Sequence, residues 1–359
     1  MNKQKLITEL QTKGLRLIDP AERSGRKGGA GPSDHRAVSI DGTTVMVPIF
    51  NSSAATSPYS VETQSNGEIL LTSEQSVISP IAFPKLPKFY ELSTSDGIPY
   101  WKIALLHSHD VLATTVLQNC IRYNQPETSC QFCAIGQSLE AGRTIARKTP
   151  SQLAEVAEAA VRLDGVKNMV MTTGTPNTSD RGAAYLTECA KAIKASVNIP
   201  IQAQCEPPDN FDWFNRMKDA GIDTLGMHLE ASDPEVRAKI MAGKASVPLD
   251  YYFQAFGEAV KVFGRGQVST YLLAGLGDSV QTLVETCDRL INIGVYPFVV
   301  PFVPISGTPL ASHAAPTTEF MFEIYEQVGA LLKRSQMSSA DMKAGCAKCG
   351  ACSALSLFE

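Results

Sequence analysis

Nine cysteines stand among 359 residues, and six of them fall into two tight triplets. Cys120, Cys130 and Cys133 follow a C-x9-C-x2-C order in NCIRYNQPETSCQFCAIG, while Cys346, Cys349 and Cys352 follow C-x2-C-x2-C in GCAKCGACS. An extracellular disulfide framework is not spaced in this way. Without a secretory signal, clustered thiols belong to a reducing compartment, where they serve as metal ligands. Three soft ligands suit iron. A structural zinc site or a ferredoxin cluster takes four protein ligands, whereas three thiolates on a four-iron cluster leave one iron open for a cofactor or substrate. Taken alone, the first triplet also fits a zinc knuckle. The tail triplet matches the first three ligands of a ferredoxin-type run. It reads as an auxiliary iron–sulfur cluster with one open iron or a fourth ligand such as His313, against a zinc site or a redox tail.

The other residues must position these thiols and protect what they hold. Apolar residues make up 44% of the chain and charged residues 19%, with a net charge of -4. No basic field is therefore available to draw in a nucleic-acid backbone. The opening MNKQKLITELQTKGLRL has no unbroken apolar core of a signal peptide, and no stretch approaches membrane-spanning length, so a cytoplasmic protein is expected.

In the first hundred residues, Asp41-Gly42, Asn66-Gly67 and Asp96-Gly97 are flanked by strand-like runs and predict hairpins with type I′ turns. Residues 1–105 are read as a small N-terminal α+β region. The Gly-rich RKGGAGP (26–32) lacks the ending and the preceding strand of a phosphate loop, and reads as a lid or linker.

From residue 111 onward, six β-rich runs alternate with amphipathic helices: 111–118, 166–172, 199–206, 222–230, 267–274 and 296–303. That pattern predicts an α/β fold, a partial (βα)6 barrel over 106–335 with its site at the strand C-terminal ends, followed by a Cys-rich tail, 336–359. Thr149, Pro150 and Gln152 compose a helix start with a capping box. Cys189 and Cys287 fall on apolar helical stripes and belong to the core. Alternation on the third strand sends Gln202, Gln204 and Glu206 into the lumen and Cys205 toward the helices. The fourth strand aims His228 and Glu230 inward.

With the thiol loop placed directly after the first strand, the chain resembles the radical S-adenosylmethionine (SAM) superfamily, in its biotin synthase and lipoyl synthase-like branch. The usual spacing there is C-x3-C-x2-C, so the nine-residue gap departs from it, although CQFC keeps the C-x-aromatic-C form. The resemblance implies that Cys120, Cys130 and Cys133 hold a [4Fe–4S] cluster and that Phe132 lies against the SAM adenine. TTGT (172–175) is similar to the family's Gly-Gly-Glu segment, which gives Thr173 and Gly174 to the methionine amine but puts Thr175 where the acid belongs. His228 and Glu230 match the ribose-binding positions, and Arg237 matches a basic partner for the methionine carboxylate. AGLGD supplies Gly275 and Gly277 beside adenine, and VPFVPISGTPLA is close to a biotin synthase segment. Ser269 stands where biotin synthase has a cysteine of its sulfur-donating cluster.

GGAGPSDH near the start and the GCAKCGACS tail further resemble a bacterial radical SAM family whose members accompany a nitrilase and an acetyltransferase in gene clusters. The resemblance implies reductive cleavage of SAM to a 5′-deoxyadenosyl radical. That radical would take hydrogen from a small polar metabolite, with Gln202 and Gln204 as substrate contacts, in nitrile-linked nitrogen metabolism. Flavodoxin or ferredoxin would donate the electron. An RNA-modifying radical SAM enzyme and a non-enzymatic iron–sulfur carrier or scaffold are the competing readings.

Overall fold

The computed structural model describes residues 2–17, 34–74 and 76–359. The Gly-rich segment 26–32 lies outside the described residues. The helix Lys3–Lys13 starts at Asn2, whose side chain accepts from the Gln4 amide at 2.9 Å. Its Leu6, Ile7 and Leu10 are buried. The Thr12 hydroxyl lies 2.9 Å from that of Thr318, which ties the helix to Thr318–Arg334. One apolar cluster then runs from Leu6 to Phe358.

Strands β1 (His35–Ile40) and β2 (Thr43–Pro48) pair antiparallel across Asp41-Gly42. Both turn residues have positive φ, 45° and 74°, as a type I′ turn demands. The other two turn signals act differently. β3 (Tyr59–Thr63) and β4 (Ile69–Ser73) are joined by the loop 64–68, in which Gly67 has φ 82° and Asn66 stays at negative φ. β5 (Ser76–Ile81) completes this three-stranded sheet. Asp96-Gly97 closes a loop in which the Thr94 amide donates to the Ile98 carbonyl at 2.8 Å, flanked only by the isolated bridge Ser93↔Pro99. The I′ expectation therefore holds at the first turn, where two residues separate the paired ends, and gives way at the other two.

The main sheet comprises β6 (Leu105–His107), β7 (Val111–Thr115), β8 (Asn168–Thr172), β9 (Ile201–Gln204), β10 (Thr224–Gly226), β11 (Val268–Ala274) and β12 (Val295–Pro301), ordered β12-β11-β10-β9-β8-β7-β6. β7 to β12 are parallel and adjacent in sequence order, and the sheet curls into a partial barrel. These are the six strands read from the sequence. β6 adds an antiparallel edge through a tight return at Ser108, whose φ is 59°. The strands are shorter than their apolar runs because the backbone leaves the ladder at the C-terminal ends. There the Gln118 amide donates to the Ala146 carbonyl (2.8 Å) and the Leu229 amide to the Thr270 hydroxyl (2.9 Å). Those departing residues carry the site.

Helix Pro150–Asp164 has its capping box in place: Thr149 Oγ1 accepts from the Gln152 amide at 3.2 Å, and Gln152 Oε1 accepts from the Thr149 amide at 2.9 Å. Leu153, Val156, Ala157 and Ala160 form its buried face, and Cys189 and Cys287 are fully buried on theirs.

The tail closes the lumen at the end where the strands begin. Thr224 donates to the Ala344 carbonyl (3.1 Å), Gln267 to the Asp341 carbonyl (3.0 Å), and the Cys346 amide to Gln202 Oε1 (3.2 Å). Gly345 has φ 109° and packs against the Gln202 amide group, so a Cβ there would clash with it. Replacing Thr149 by Ala removes one end of the capping box and is expected to lower stability by about 1 kcal/mol. Urea unfolding would register this as a lower midpoint with an unchanged slope.

Candidate active site

Cys120, Cys130 and Cys133 sit on the loop after β7 and line a cavity of about 320 Å³ at the strand C-terminal ends. The nine-residue gap is folded into successive turns: the Tyr123 amide donates to Cys120 O (3.1 Å), Thr128 to Gln125 O (3.0 Å), and Cys133 to Cys130 O (3.0 Å). Gln131 fastens the far side, its amide to Ile240 O (2.9 Å) and its side chain to Lys239 O (2.6 Å). Burial, reinforced by Glu230, raises the Cys130 thiol well above its ordinary range, and burial pushes Cys133 up to about 12. Such thiols reach the thiolate form when a cation binds them. Among the described residues, no three His, Cys, Asp or Glu side chains converge as a single-ion site requires. A multi-iron cluster, by contrast, spreads its thiolates over separate corners.

Two carboxylates, the buried Glu206 and the half-buried Glu230, face these thiols. Glu206 pairs with Arg122 and accepts from Thr175 Oγ1 at 2.5 Å, while its Oε2 is buried with no partner. Burial would raise its pKa, but Lys244, Arg122 and Thr175 outweigh burial and lower it. Thr175, which stands where the family has an acid, thus holds a carboxylate brought in from the end of β9. Glu230 has a left-handed φ of 66° and accepts from Lys244 Nζ at 2.7 Å. Burial disfavours the Lys244 ammonium, yet Glu230, with Tyr252, Glu206 and Cys130 adding to it, more than offsets this and raises its pKa. Sequence reading missed both cations. Arg122, two residues past Cys120, was the available signal for one; Lys244 in MAGK carried none, because only the fold brings it to Glu230.

His228 lines this cavity. Its Nδ1 accepts from the Tyr271 amide at 3.2 Å, which leaves the proton on Nε2. Burial, with Lys244 nearby, lowers its pKa to about 3, so the ring is neutral. Phe132 lines the same cavity and packs against a small apolar cluster that includes Ala231, Ile240 and Phe302. Thr173 donates to Gly174 O at 2.7 Å. What approaches Gly174 closely is the Asn119 carbonyl of the thiol loop, so a side chain there would collide with that backbone.

Five expected contacts are placed elsewhere. Arg237 is buried with its guanidinium spent on the carbonyls of Leu229 (2.8 Å) and Ala231 (3.0 Å), so it braces the chain after β10 and does not line the cavity. Gly275 (φ 111°) and Gly277 (φ 136°) are needed by the turn after β11, where Pro316 and Val236 occupy the Cβ directions. Gln202 is fully buried, bonding Ser269 (3.3 Å), Gln204 (2.7 Å) and the Cys346 amide, and so anchors the tail. His313 donates to Gly275 O at 2.9 Å, at the end of the barrel remote from the tail thiols.

Below the first cavity, and sharing Phe132, Gln204, His228 and Glu230 with it, lies a second of about 280 Å³ inside the lumen. Val170, Leu273, Val300 and Phe302 make its wall chiefly apolar, and Cys346, Cys349 and Cys352 floor it. Gln204 Nε2 approaches Cys346 Sγ at 3.2 Å, and Cys352 Sγ lies 3.6 Å from His107 Nε2.

Three variants test the charges held around the site. Lys244→Met leaves the half-buried Glu230 without its cation and is expected to destabilise by about 3 kcal/mol. Adding Glu230→Gln should recover much of that loss in chemical denaturation. Lys148 is buried, donates to Thr115 O (2.7 Å) and Gln118 Oε1 (3.4 Å), and is lowered by burial from 10.5 to about 7. Between those values the unfolded chain binds the extra proton, so stability rises with pH across the window. In Lys148→Met, urea midpoints measured from about pH 7 to about pH 10 should lose that rise.

Comparison with known proteins gives concordant matches. The family model of the radical SAM superfamily matches residues 122–290, starting just past Cys120. A bacteriochlorophyllide c C-7(1)-hydroxylase of Chlorobaculum limnaeum is 26% identical over 263 residues, 67% of this chain and 64% of that protein. A biotin synthase of Rhodopseudomonas palustris is 26% identical over 176 residues, 48% of this chain and 50% of that one. The chain thus spans about half to just under two thirds of these relatives. Among solved structures, methylornithine synthase aligns over 68% of each chain at 17% identity with a TM-score of 0.49. Three thiols lie on the loop after the first parallel strand, and the match to the radical SAM superfamily covers residues 122–290, just under half of this chain and the strands β8 to β11.

Proposed function

We propose that Cys120, Cys130 and Cys133 hold a [4Fe–4S] cluster at the strand C-terminal ends and that SAM binds in the cavity beside them. The observation that carries this reading is the meeting, in one cavity, of three thiols with a buried carboxylate oxygen, Glu206 Oε2, that has no partner. The donor set fits both groups. An orphaned carboxylate oxygen among cations suits an ammonium, and three thiols leave one iron of a cluster open. When bound, the cluster supplies the electron that splits SAM into methionine and a 5′-deoxyadenosyl radical.

The chain's own residues bind, orient and exclude water. Arg122 and Thr175 hold Glu206 in place so that Oε2 is free to accept from the methionine amine. Lys244 fixes Glu230, and the Tyr271 amide fixes the neutral His228, leaving a carboxylate acceptor and an Nε2–H donor for the ribose hydroxyls. Phe132 offers a flat apolar face for adenine. The largely apolar lumen keeps out water that would quench a reactive carbon centre.

The lumen would take a small molecule with an apolar body and few polar groups, Gln204 among its contacts, a less polar substrate than the strand alternation suggests. A nitrogen-containing metabolite fits the resemblance to the nitrilase-cluster family. Flavodoxin or ferredoxin would serve as the electron donor. In this reading residues 106–335 are the catalytic barrel, 1–105 its N-terminal support, and 336–359 the floor, where Cys346, Cys349 and Cys352 hold an auxiliary iron–sulfur cluster.

Anaerobic reconstitution with iron and sulfide, iron counting and dithionite-driven SAM cleavage test the proposal. Wild type should form 5′-deoxyadenosine and Cys133→Ala should form none. Cys349→Ala should lose part of the iron and still contain the first cluster. A wild-type protein that binds iron yet never cleaves SAM would sink the proposal and leave a scaffold.

A further inference from the structure

The second triplet raises a question its spacing cannot answer: three thiols leave one corner of a four-iron cluster without a protein ligand. We infer that His107 fills that corner, making the tail site a closed Cys3His cluster of Cys346, Cys349, Cys352 and His107 that does not bind substrate. The inference rests on the proposal that the tail holds an iron–sulfur cluster.

The geometry comes from the edge strand. β6 runs antiparallel to β7 with His107 opposite Val111, so its last residue lies at the strand-beginning end of the lumen, where the tail docks. His107 is 6% exposed and lines the same cavity as the three tail thiols. Its Nε2 is 3.6 Å from Cys352 Sγ. The return after β6 also brings Ser108 into hydrogen-bonding contact with Cys349, so this short segment touches two of the three thiols. Cys346 in turn is hydrogen-bonded by Gln204 and Tyr271.

The surroundings favour such a set. Tyr271, Gln204 and Ser108 can each donate to a cluster-bound sulfur, which stabilises its negative charge. The tail is clamped to β2, β10 and β12, by Met46 N to Ala351 O (2.7 Å), Thr224 Oγ1 to Ala344 O (3.1 Å) and Ser353 Oγ to Val299 O (2.5 Å). A loose redox tail would need none of these anchors. A closed corner assigns the tail cluster to structure or electron transfer and leaves substrate recognition to the lumen wall.

The test isolates the tail site in the variant Cys120→Ala/Cys130→Ala/Cys133→Ala of the full chain, reconstituted anaerobically with iron and sulfide. It should retain about four irons per chain, and the reduced cluster should show strong nitrogen coupling in pulsed electron paramagnetic resonance. His107→Cys should keep the iron, lose the coupling and shift to a lower reduction potential, because an imidazole has become a thiolate. His107→Ala should lose the coupling and regain it when free imidazole is added. Iron retained without nitrogen coupling, or coupling that survives His107→Cys, overturns the ligand assignment and leaves the tail cluster standing. Should the triple variant hold no iron while Cys346→Ala/Cys349→Ala/Cys352→Ala holds its share, the tail cluster itself falls, and this inference with it.

Discussion

Two carboxylates largely withdrawn from water at the ends of adjacent strands, Glu206 after β9 and Glu230 after β10, constrain everything around the site. A carboxylate out of water is costly unless a cation and hydrogen bonds accompany it. Arg122 reaches Glu206 from the thiol loop, and Lys244 reaches Glu230 from the short helix Ala242–Ala245. Each pair therefore staples a mobile type of segment, a long loop and a one-turn helix, onto the rigid sheet. The two segments also meet each other, with the Gly243 amide donating to Thr128 O at 3.2 Å. Charge neutralisation and loop placement are one event here, which is how a nine-residue gap between cysteines can still deliver three thiols to one cavity.

The opposite end of the barrel has the complementary problem. A curled parallel sheet leaves its lumen open where the strands begin, and exposed apolar wall there would admit water. The tail answers this by hydrogen-bonding to the first residues of the strands and by laying Cys346, Cys349 and Cys352 across the floor. Gln202 shows the consequence for function. A residue that points into the lumen is withdrawn from substrate because the tail amide of Cys346 claims it. Tyr271 sits between the two ends, its ring edge-on to His228 at 4.6 Å and its hydroxyl bonded to Cys346. The lumen is thus a continuous chamber bounded by thiols above and below.

Local chemistry was legible in the sequence wherever neighbours along the chain settle it. The capping box at Thr149, the I′ turn at Asp41-Gly42, the burial of Cys189 and Cys287, and the six parallel strands all follow from short-range pattern. So does the location of the first thiol triplet, since a loop that follows a parallel strand must emerge at the strand's C-terminal end. The candidate site was legible as a set of thiols, a histidine and a carboxylate on successive strand ends.

Its pairings were not. Arg237 and Lys244 lie seven residues apart, both cationic, and only the packed structure sends one to backbone carbonyls and the other to Glu230. His313 was the histidine named from sequence for the tail thiols, and the fold puts it at the opposite end of the barrel from them while bringing His107 to Cys352. β6 escaped notice because three residues are too few to show alternation. By itself the sequence determined which elements form and which residue types stand at their ends, because periodicity and capping act within a few residues. Only the tertiary structure decided which charge neutralises which, and what closes the lumen, because burial and long-range contact do not exist until the chain has folded.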